Sequence, residues 1–141
     1  MPTLSAAEKI ELAVKDGTLK GQRAEKAVAA AAAMRNAIRI AVANRVPIAM
    51  GTDAGVGPHG ANIHELELMV SWGGMRPMDA IVAATMGGAR LLGWEKKIGS
   101  ITVGKWADII AVQGDPLTDI ARLNSVNFVM KNGVVYKRNN R

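Results

Sequence analysis

Residues 46–70 have the sequence VPIAMGTDAGVGPHGANIHELELMV, and the predicted fold depends most on this stretch. Its first part, residues 46–52, is mostly apolar, which is typical of a parallel strand that is covered on both faces. Asp53 follows in a loop whose four glycines allow sharp turns and a close approach to a ligand. Barrel enzymes place their catalytic groups at the carboxyl ends of parallel strands, so Asp53 is the leading candidate for a functional residue.

Two helices are predicted before this stretch. In the first, Ser5 would cap the helix and Glu8 would bond back to it, as in a capping box, and the helix would end near Lys15. The second would run from about Gly21 to Asn44, because its alanine run has the highest helix propensity available. Small side chains on such a helix allow close packing against a sheet or a barrel wall.

A third helix is predicted after the glycine-rich loop. Asn62 would cap it, with Glu65 three residues further on, and the glycines that follow residue 72 would end it. Glu65 and Glu67 are not expected to act as a pair of catalytic carboxylates, because residues two apart on a helix point to different faces.

A fourth helix is predicted from Pro77, which suits a first helical position. Its periodicity predicts burial of Ile81, Ala84, Leu91 and Leu92. The pair Gly87-Gly88 lies inside this helix and would cost roughly 1 kcal/mol per glycine relative to alanine. We interpret the pair as a site of close backbone packing or as a local break.

The last third of the chain changes to a β pattern. Short strands are expected within residues 98–103 and 107–112. Residues 126–131 and 134–136 flank Asn132-Gly133, and an Asn-Gly pair between two strand-like runs is the strongest short signal for a hairpin. Asp108 lies between apolar residues and is expected to be structural, bonding the amides of a turn.

Composition excludes several classes of protein. The chain has 141 residues, 49% of them hydrophobic and 21% charged, as in an ordinary globular domain. Without cysteine it has no disulfide framework or thiolate metal site. The net charge of +6 is spread along the chain and aromatics are only 4%, so nucleic acid is not an expected partner. We expect no membrane-spanning run and no signal peptide, and the composition suits a cytoplasmic protein.

A set of ordered segments resembles the C-terminal part of the metal-dependent amidohydrolase superfamily. The resemblance is strongest to its imidazolonepropionase-like branch, which includes Xaa-Pro dipeptidases. The segments are GTDAG at 51–55, PHG at 58–60, HELELMV at 64–70, MRPMDAIVAAT at 75–85, ARLLG at 89–93, IGSITVGKWADIIAV at 98–112, GDPLTDI at 114–120 and VMKNGVVY at 129–136. Their order and spacing fit over nearly the whole chain.

The resemblance implies an α/β fold, the C-terminal part of a (β/α)₈ TIM-type barrel followed by the C-terminal strands of a small β-sandwich. Residues 2–4 would end barrel strand seven, and residues 46–52 would be strand eight. Domain 1–93 would then hold the last two strand-helix units of the barrel, and domain 94–141 the partial β-sandwich. A complete barrel needs roughly 250 residues, so we expect this chain to be the C-terminal portion of such an enzyme.

The resemblance also implies roles for particular residues. Asp53 matches the strand-eight aspartate, which binds the metal, one or two zinc ions, and takes a proton from the attacking water. His59 and Gly55 would contact the substrate, although His59 could equally be an exposed loop histidine. His64 is expected to be a surface or capping residue. The family's other metal ligands, mostly histidines, have no counterpart in this chain, and Asp53 is not expected to form a metal site with its two histidines alone.

Two functions follow from the resemblance. The first is hydrolysis of an amide or peptide-like C–N bond in a dipeptide, an N-acyl amino acid or a cyclic amide, through metal-activated water. The alternative is a catalytically inactive fragment that acts as a self-associating or complementing scaffold, because solitary barrel and sandwich strands leave open edges. The expected partner is the missing N-terminal half or another copy of the chain, with no nucleic acid and no membrane.

Overall fold

The computed structural model describes residues 3–55 and 59–139. The helices are α1 (Leu4–Lys15), α2 (Gly21–Ala43), α3 (His64–Ser71), α4 (Pro77–Val82) and α5 (Gly88–Leu91), with a π-turn (Ala83–Gly87) between the last two and a 3₁₀ turn at Ile120–Asn124. The strands are β1 (Ile109–Val112), β2 (Val126–Lys131) and β3 (Val134–Arg138). The chain forms two compact units, Met1–Pro47 with Gly51–Met75 and Ile48–Met50 with Arg76–Arg141, called here the N-terminal and C-terminal units.

The N-terminal unit is built from helices α1, α2 and α3. On α2 the buried residues are Ala24, Ala31 and Ile38, seven apart, so one narrow stripe of this helix faces its neighbours. The prediction of a long helix from Gly21 is confirmed, and its end at Ala43 lies one residue from the expected position. Among the described residues no helix is both long enough and apolar enough to cross a bilayer.

The start of α1 corrects three sequence predictions. The helix begins at Leu4, so Leu4 does not end a strand, while Pro2 lies outside the described residues. Ser5 is not the cap of a capping box, because the N-cap residue is Thr3 and no side chain of its own caps the helix. The amides of Leu4 and Ser5 donate instead to the carboxylate of Glu65, at 2.7 and 2.8 Å. Glu65 therefore does not complete a capping box on its own helix.

Residues 46–52 do not form a β-ladder with any described residue, contrary to the predicted strand. A strand in a barrel is hydrogen-bonded to a neighbour on each side, and the described residues supply neither neighbour here. The amide of Met50 donates instead to the carbonyl of Ala83 in the π-turn, at 3.0 Å. This bond satisfies one backbone group of the segment, which would otherwise be without a partner.

Helix α4 begins at Pro77 as predicted, but the residues buried beyond it differ from the prediction. Ala80, Ala83 and Ala89 are buried, whereas Leu91 and Leu92 are 72% and 64% exposed. The π-turn lies between Ala80 and Leu91, and its i→i+5 bonding changes the number of residues per turn on which the predicted periodicity was based.

The Gly87-Gly88 pair was predicted to mark either close backbone packing or a local break in the helix, and the structure shows both. Gly87 closes the π-turn, which is the local break. It also packs closely against backbone, because a Cβ at this position would lie 2.5 Å from the carbonyl oxygen of Ile48. Gly88 has open space around it.

The C-terminal sheet is antiparallel, in the order β1-β2-β3. The predicted hairpin is confirmed, with Asn132 and Gly133 at φ +48° and +80° as a type I′ turn requires. Asp108 is structural as expected, and its carboxylate accepts from Lys131 and from the amide of Asn132, which lowers its pKa. Residues 98–103 form no strand, and the boundary between predicted domains at residue 93 stays a prediction.

Candidate active-site loop and pocket

Asp53 lies in the loop that follows residues 46–52 and has an unusual backbone conformation. Its φ is +49°, in the left-handed region that few residues other than glycine adopt and in which aspartate is enriched. Gly55 and Gly60 also have positive φ values, of +122° and +90°. The loop therefore turns through left-handed residues, as its glycines predicted, and the side chain of Asp53 is solvent-exposed.

A pocket of about 170 Å³ lies beside this loop, within the N-terminal unit. Its lining consists of Ser5, Glu8, Lys9, Thr52, Ala54, Ala61, Asn62 and His64. The lining includes both chain neighbours of Asp53, so the loop forms one wall and α1 forms another. The pocket is smaller than the roughly 300 Å³ or more of a typical small-molecule site, so alone it would hold only a small group.

His64 is the centre of a hydrogen-bonded group in the pocket wall, a role that its sequence position did not indicate. Its Nε2 lies 2.6 Å from an oxygen of Glu8 on α1, and its Nδ1 lies 3.1 Å from an oxygen of Glu67 on α3. Partial burial of the imidazole lowers the pKa of His64, but the hydrogen bonds to Glu8 and Glu67 and the charges of these carboxylates outweigh it and raise the pKa above its ordinary value.

Glu65 is a second residue whose role the sequence did not reveal. It is 3% exposed, and its two carboxylate oxygens accept one hydrogen bond each from the amides of Leu4 and Ser5. These amides belong to the first turn of α1, where helix N–H groups lack intrahelical partners and a negative charge is favoured. The carboxylate thus fixes the start of α1 to α3, across a separation of about sixty residues.

The structure does not bring the predicted site residues together in this pocket. Asp53, Gly55 and His59 are exposed and do not line it, whereas Thr52, Ala54 and His64 do. In residues 3–55 and 59–139 no three histidine, aspartate or glutamate side chains are arranged to hold a metal ion. A carboxylate such as Asp53 is a suitable ligand for zinc, but a catalytic zinc site needs about three protein ligands. The described residues do not make such a site by themselves.

Comparison with known proteins gives a consistent family. The model of the amidohydrolase family matches residues 3–136. Ochratoxinase of Aspergillus niger is 38% identical over 96 residues, covering 65% of this chain and 20% of that protein. Imidazolonepropionase of Thermoplasma volcanium is 32% identical over 94 residues, covering 66% of this chain and 23% of that protein. The solved structure of a Xaa-Pro dipeptidase with bound methionine in the active site has a TM-score of 0.88 at 43% identity, covering 97% of this chain and 34% of that one.

These comparisons confirm the predicted resemblance and fold class. The chain corresponds to the C-terminal part of amidohydrolase TIM-barrel proteins, ending in the strands of the small sheet. It spans about a fifth of the length of the curated relatives and about a third of the Xaa-Pro dipeptidase structure.

Proposed function

Because this chain belongs to the amidohydrolase family, we propose that it is the C-terminal portion of a metal-dependent hydrolase of amide or peptide-like C–N bonds. The observation that carries this proposal is the position of Asp53, directly after residues 46–52 and in a left-handed loop beside a pocket. By the family resemblance, this is the position of the aspartate that follows barrel strand eight.

In the proposed enzyme Asp53 is both a metal ligand and the general base. Its carboxylate would take a proton from the attacking water and pass it to the leaving nitrogen. The metal we propose is zinc, in one or two ions, which lowers the pKa of bound water when present. The remaining ligands would come from residues outside the described part of this chain, since that part contains no three-ligand group.

The proposed substrates are small amides, namely dipeptides, N-acyl amino acids or cyclic amides. The similarity to a Xaa-Pro dipeptidase at 43% identity favours dipeptides among these three classes. His59 and Gly55 remain proposed substrate contacts, and their exposure in the loop leaves both accessible to a ligand. A cytoplasmic location stays a prediction from composition.

A complementation assay tests this proposal. The chain would be produced together with the remaining N-terminal part of the Xaa-Pro dipeptidase, and hydrolysis of a Xaa-Pro dipeptide would be measured with zinc present. We expect activity from the pair and a loss of at least about 100-fold in Asp53→Asn, since a general base contributes about 10² to 10⁴ in rate. Asparagine tolerates the left-handed backbone, so this variant removes the charge without straining the loop. Equal activity of the variant pair would contradict the assignment.

A second candidate function, a self-associating or complementing scaffold, is favoured by one observation. The C-terminal unit exposes large apolar side chains, among them Ile101 at 83%, Val103 at 102% and Tyr136 at 72%. Together with the open edges of a three-stranded sheet, this surface favours association with the missing N-terminal part or with another copy. Sedimentation of the chain alone tests it: we expect a mass above that of one chain, and a stable monomer would contradict it.

A further inference from the structure

His64 has a hydrogen-bonding arrangement that only one charge state satisfies. Each of its ring nitrogens lies within hydrogen-bonding distance of a carboxylate oxygen, from Glu8 on one side and from Glu67 on the other. An ionised carboxylate only accepts, so both ring nitrogens must carry a proton to make both bonds. A neutral imidazole has one N–H, and one of the two contacts would then bring two acceptors together.

Among the described residues, few other charged side chains lie around His64. The carboxylate of its neighbour Glu65 accepts hydrogen bonds from two backbone amides of α1. On α1, Lys9 lines the same pocket as Glu8, while Glu11 is paired with Arg35 of α2. The loop contributes only uncharged residues to the pocket, and its charged or titratable residues Asp53 and His59 are solvent-exposed. Glu8 and Glu67 are therefore the groups that set the charge state of His64.

We propose that Glu8, His64 and Glu67 form a proton-operated latch, which ties α1 to α3 when His64 is charged and frees this wall of the pocket when His64 is neutral. The latch itself stands on the contacts between α1 and α3. Only its consequence, control of substrate access to the Asp53 loop, rests on the proposed hydrolase function.

The direction of the pH effect follows from the raised pKa of His64. A histidine whose pKa is higher in the folded state than in the unfolded state stabilises the folded state fully below the unfolded value of about 6.5. This stabilisation is lost as the pH rises through the folded-state pKa. The latch is therefore closed at acidic pH and opens on the alkaline side of the ordinary histidine value.

Glu65 confines the motion that the latch permits. Its two bonds to the amides of Leu4 and Ser5 involve no histidine and persist when His64 loses its proton. Glu8 lies one turn beyond this anchor on α1. Opening the latch therefore frees the pocket-facing side of α1 while its first turn stays attached to α3.

An NMR titration of the two imidazole rings in the full chain tests the latch directly. His59→Gln assigns the two sets of signals. We expect the titration midpoint of His64 to lie above the ordinary histidine value in the wild type and to move down in Glu8→Gln. A midpoint at or below the ordinary value in the wild type would overturn the proposal, as would one that Glu8→Gln leaves in place.

Urea unfolding from about pH 6 to pH 9 provides a second, independent readout. We expect the midpoint urea concentration of the wild type to exceed that of His64→Gln at the acidic end, and this gap to close at the alkaline end. Glu65→Gln is the matched control, because its gap to the wild type should not close with pH. The latch would be refuted if the difference in midpoint urea concentration between the wild type and His64→Gln were the same at the acidic and the alkaline end. Failure of the hydrolase assay would leave both readouts of the latch intact.

Discussion

The two units of this chain bury their apolar side chains to different degrees. In the N-terminal unit, three helices enclose a core that includes Leu4, Ile38 and Leu66, each 4% exposed or less. In the C-terminal unit, the buried residues are mostly alanines, and large apolar side chains such as Leu91 and Ile101 are 72% and 83% exposed. The N-terminal unit thus buries more of its large apolar side chains than the C-terminal unit does.

The difference follows from how each kind of structure closes. Helices make their backbone hydrogen bonds internally, so three of them can bury a common stripe of side chains within one stretch of sequence. A three-stranded sheet leaves two open edges and needs a second layer to cover its apolar face. Uncovered sheet edges and an uncovered apolar face therefore leave the C-terminal unit with more exposed apolar surface than the N-terminal unit.

Replacing Glu65 should have the largest effect on the N-terminal unit. Glu65→Ala removes both hydrogen bonds to the start of α1, and bonds to a charged group are worth about 1.5–3 kcal/mol each, so we expect a loss of about 3 kcal/mol or more in the free energy of unfolding. Urea unfolding measures this loss. The exposed Glu25→Ala on α2 is the control and should change stability by no more than about 0.5 kcal/mol. Equal effects of the two variants would show that the bonds from Leu4 and Ser5 to Glu65 do not contribute to the free energy of unfolding.

The next largest effect on stability is expected at Gly87 in the C-terminal unit, and the adjacent Gly88 provides the control. Gly87→Ala would place a Cβ 2.5 Å from the carbonyl oxygen of Ile48, and we expect it to cost about 2 kcal/mol through overpacking. Gly88→Ala has open space and a helical φ of −61°, so it should stabilise the helix by up to about 1 kcal/mol. Thermal unfolding of the two variants should therefore shift in opposite directions. A shift in the same direction would mean that the π-turn does not pack as described.

The hairpin of the C-terminal sheet should respond more weakly. Gly133 has φ +80°, and Gly133→Ala forces an L side chain into the left-handed region at a cost of about 1 kcal/mol. Hydrogen exchange at the amides of β2 and β3 should increase, while exchange in α2 should not change. Asn132→Gly is the control, because glycine adopts the φ of +48° at that position without strain. Unchanged exchange in β2 and β3 would contradict the type I′ turn.

The smallest effect on stability is expected from the exposed apolar surface. Leu92→Gln changes a side chain in a residue that is 64% exposed, so the free energy of unfolding should change by no more than about 0.5 kcal/mol. Association of the chain, measured by sedimentation, should nevertheless weaken, because the apolar surface available to a partner is reduced. A large loss of stability without any change in mass would show that Leu92 serves the core instead.

Sequence patterns predicted those parts of the fold that local residues determine. The alanine-rich helix, the helix start at Pro77 and the Asn132-Gly133 turn depend on the conformational preferences of a few adjacent residues, and all three are confirmed. The Gly87-Gly88 break was also visible, because two adjacent glycines weaken a helix wherever they lie.

The errors concern residues whose partners lie far along the chain. Glu65 stands three residues after Asn62, as in a capping box, but its carboxylate accepts from the amide of Leu4, 61 residues away, and no local pattern signals this bond. The predicted strand at residues 46–52 failed for the same reason, since a strand exists only with a partner.

Within the candidate site, the loop around Asp53 was predictable from its glycines and from the family resemblance. The role of His64 was not predictable, because its two carboxylate partners meet it only after α1 packs on α3. A histidine at the first position of a helix gives no signal of that contact.

We propose that this chain carries one ligand, Asp53, of a metal site that residues outside its described part complete. Zinc analysis of purified protein tests it most directly, on the chain alone and on the chain paired with the remaining N-terminal part of the Xaa-Pro dipeptidase. We predict no stoichiometric zinc in the chain alone, stoichiometric zinc in the pair, and a lower zinc content in the pair that carries Asp53→Asn. Stoichiometric zinc in the chain alone, or an unchanged zinc content in the variant pair, would contradict the claim.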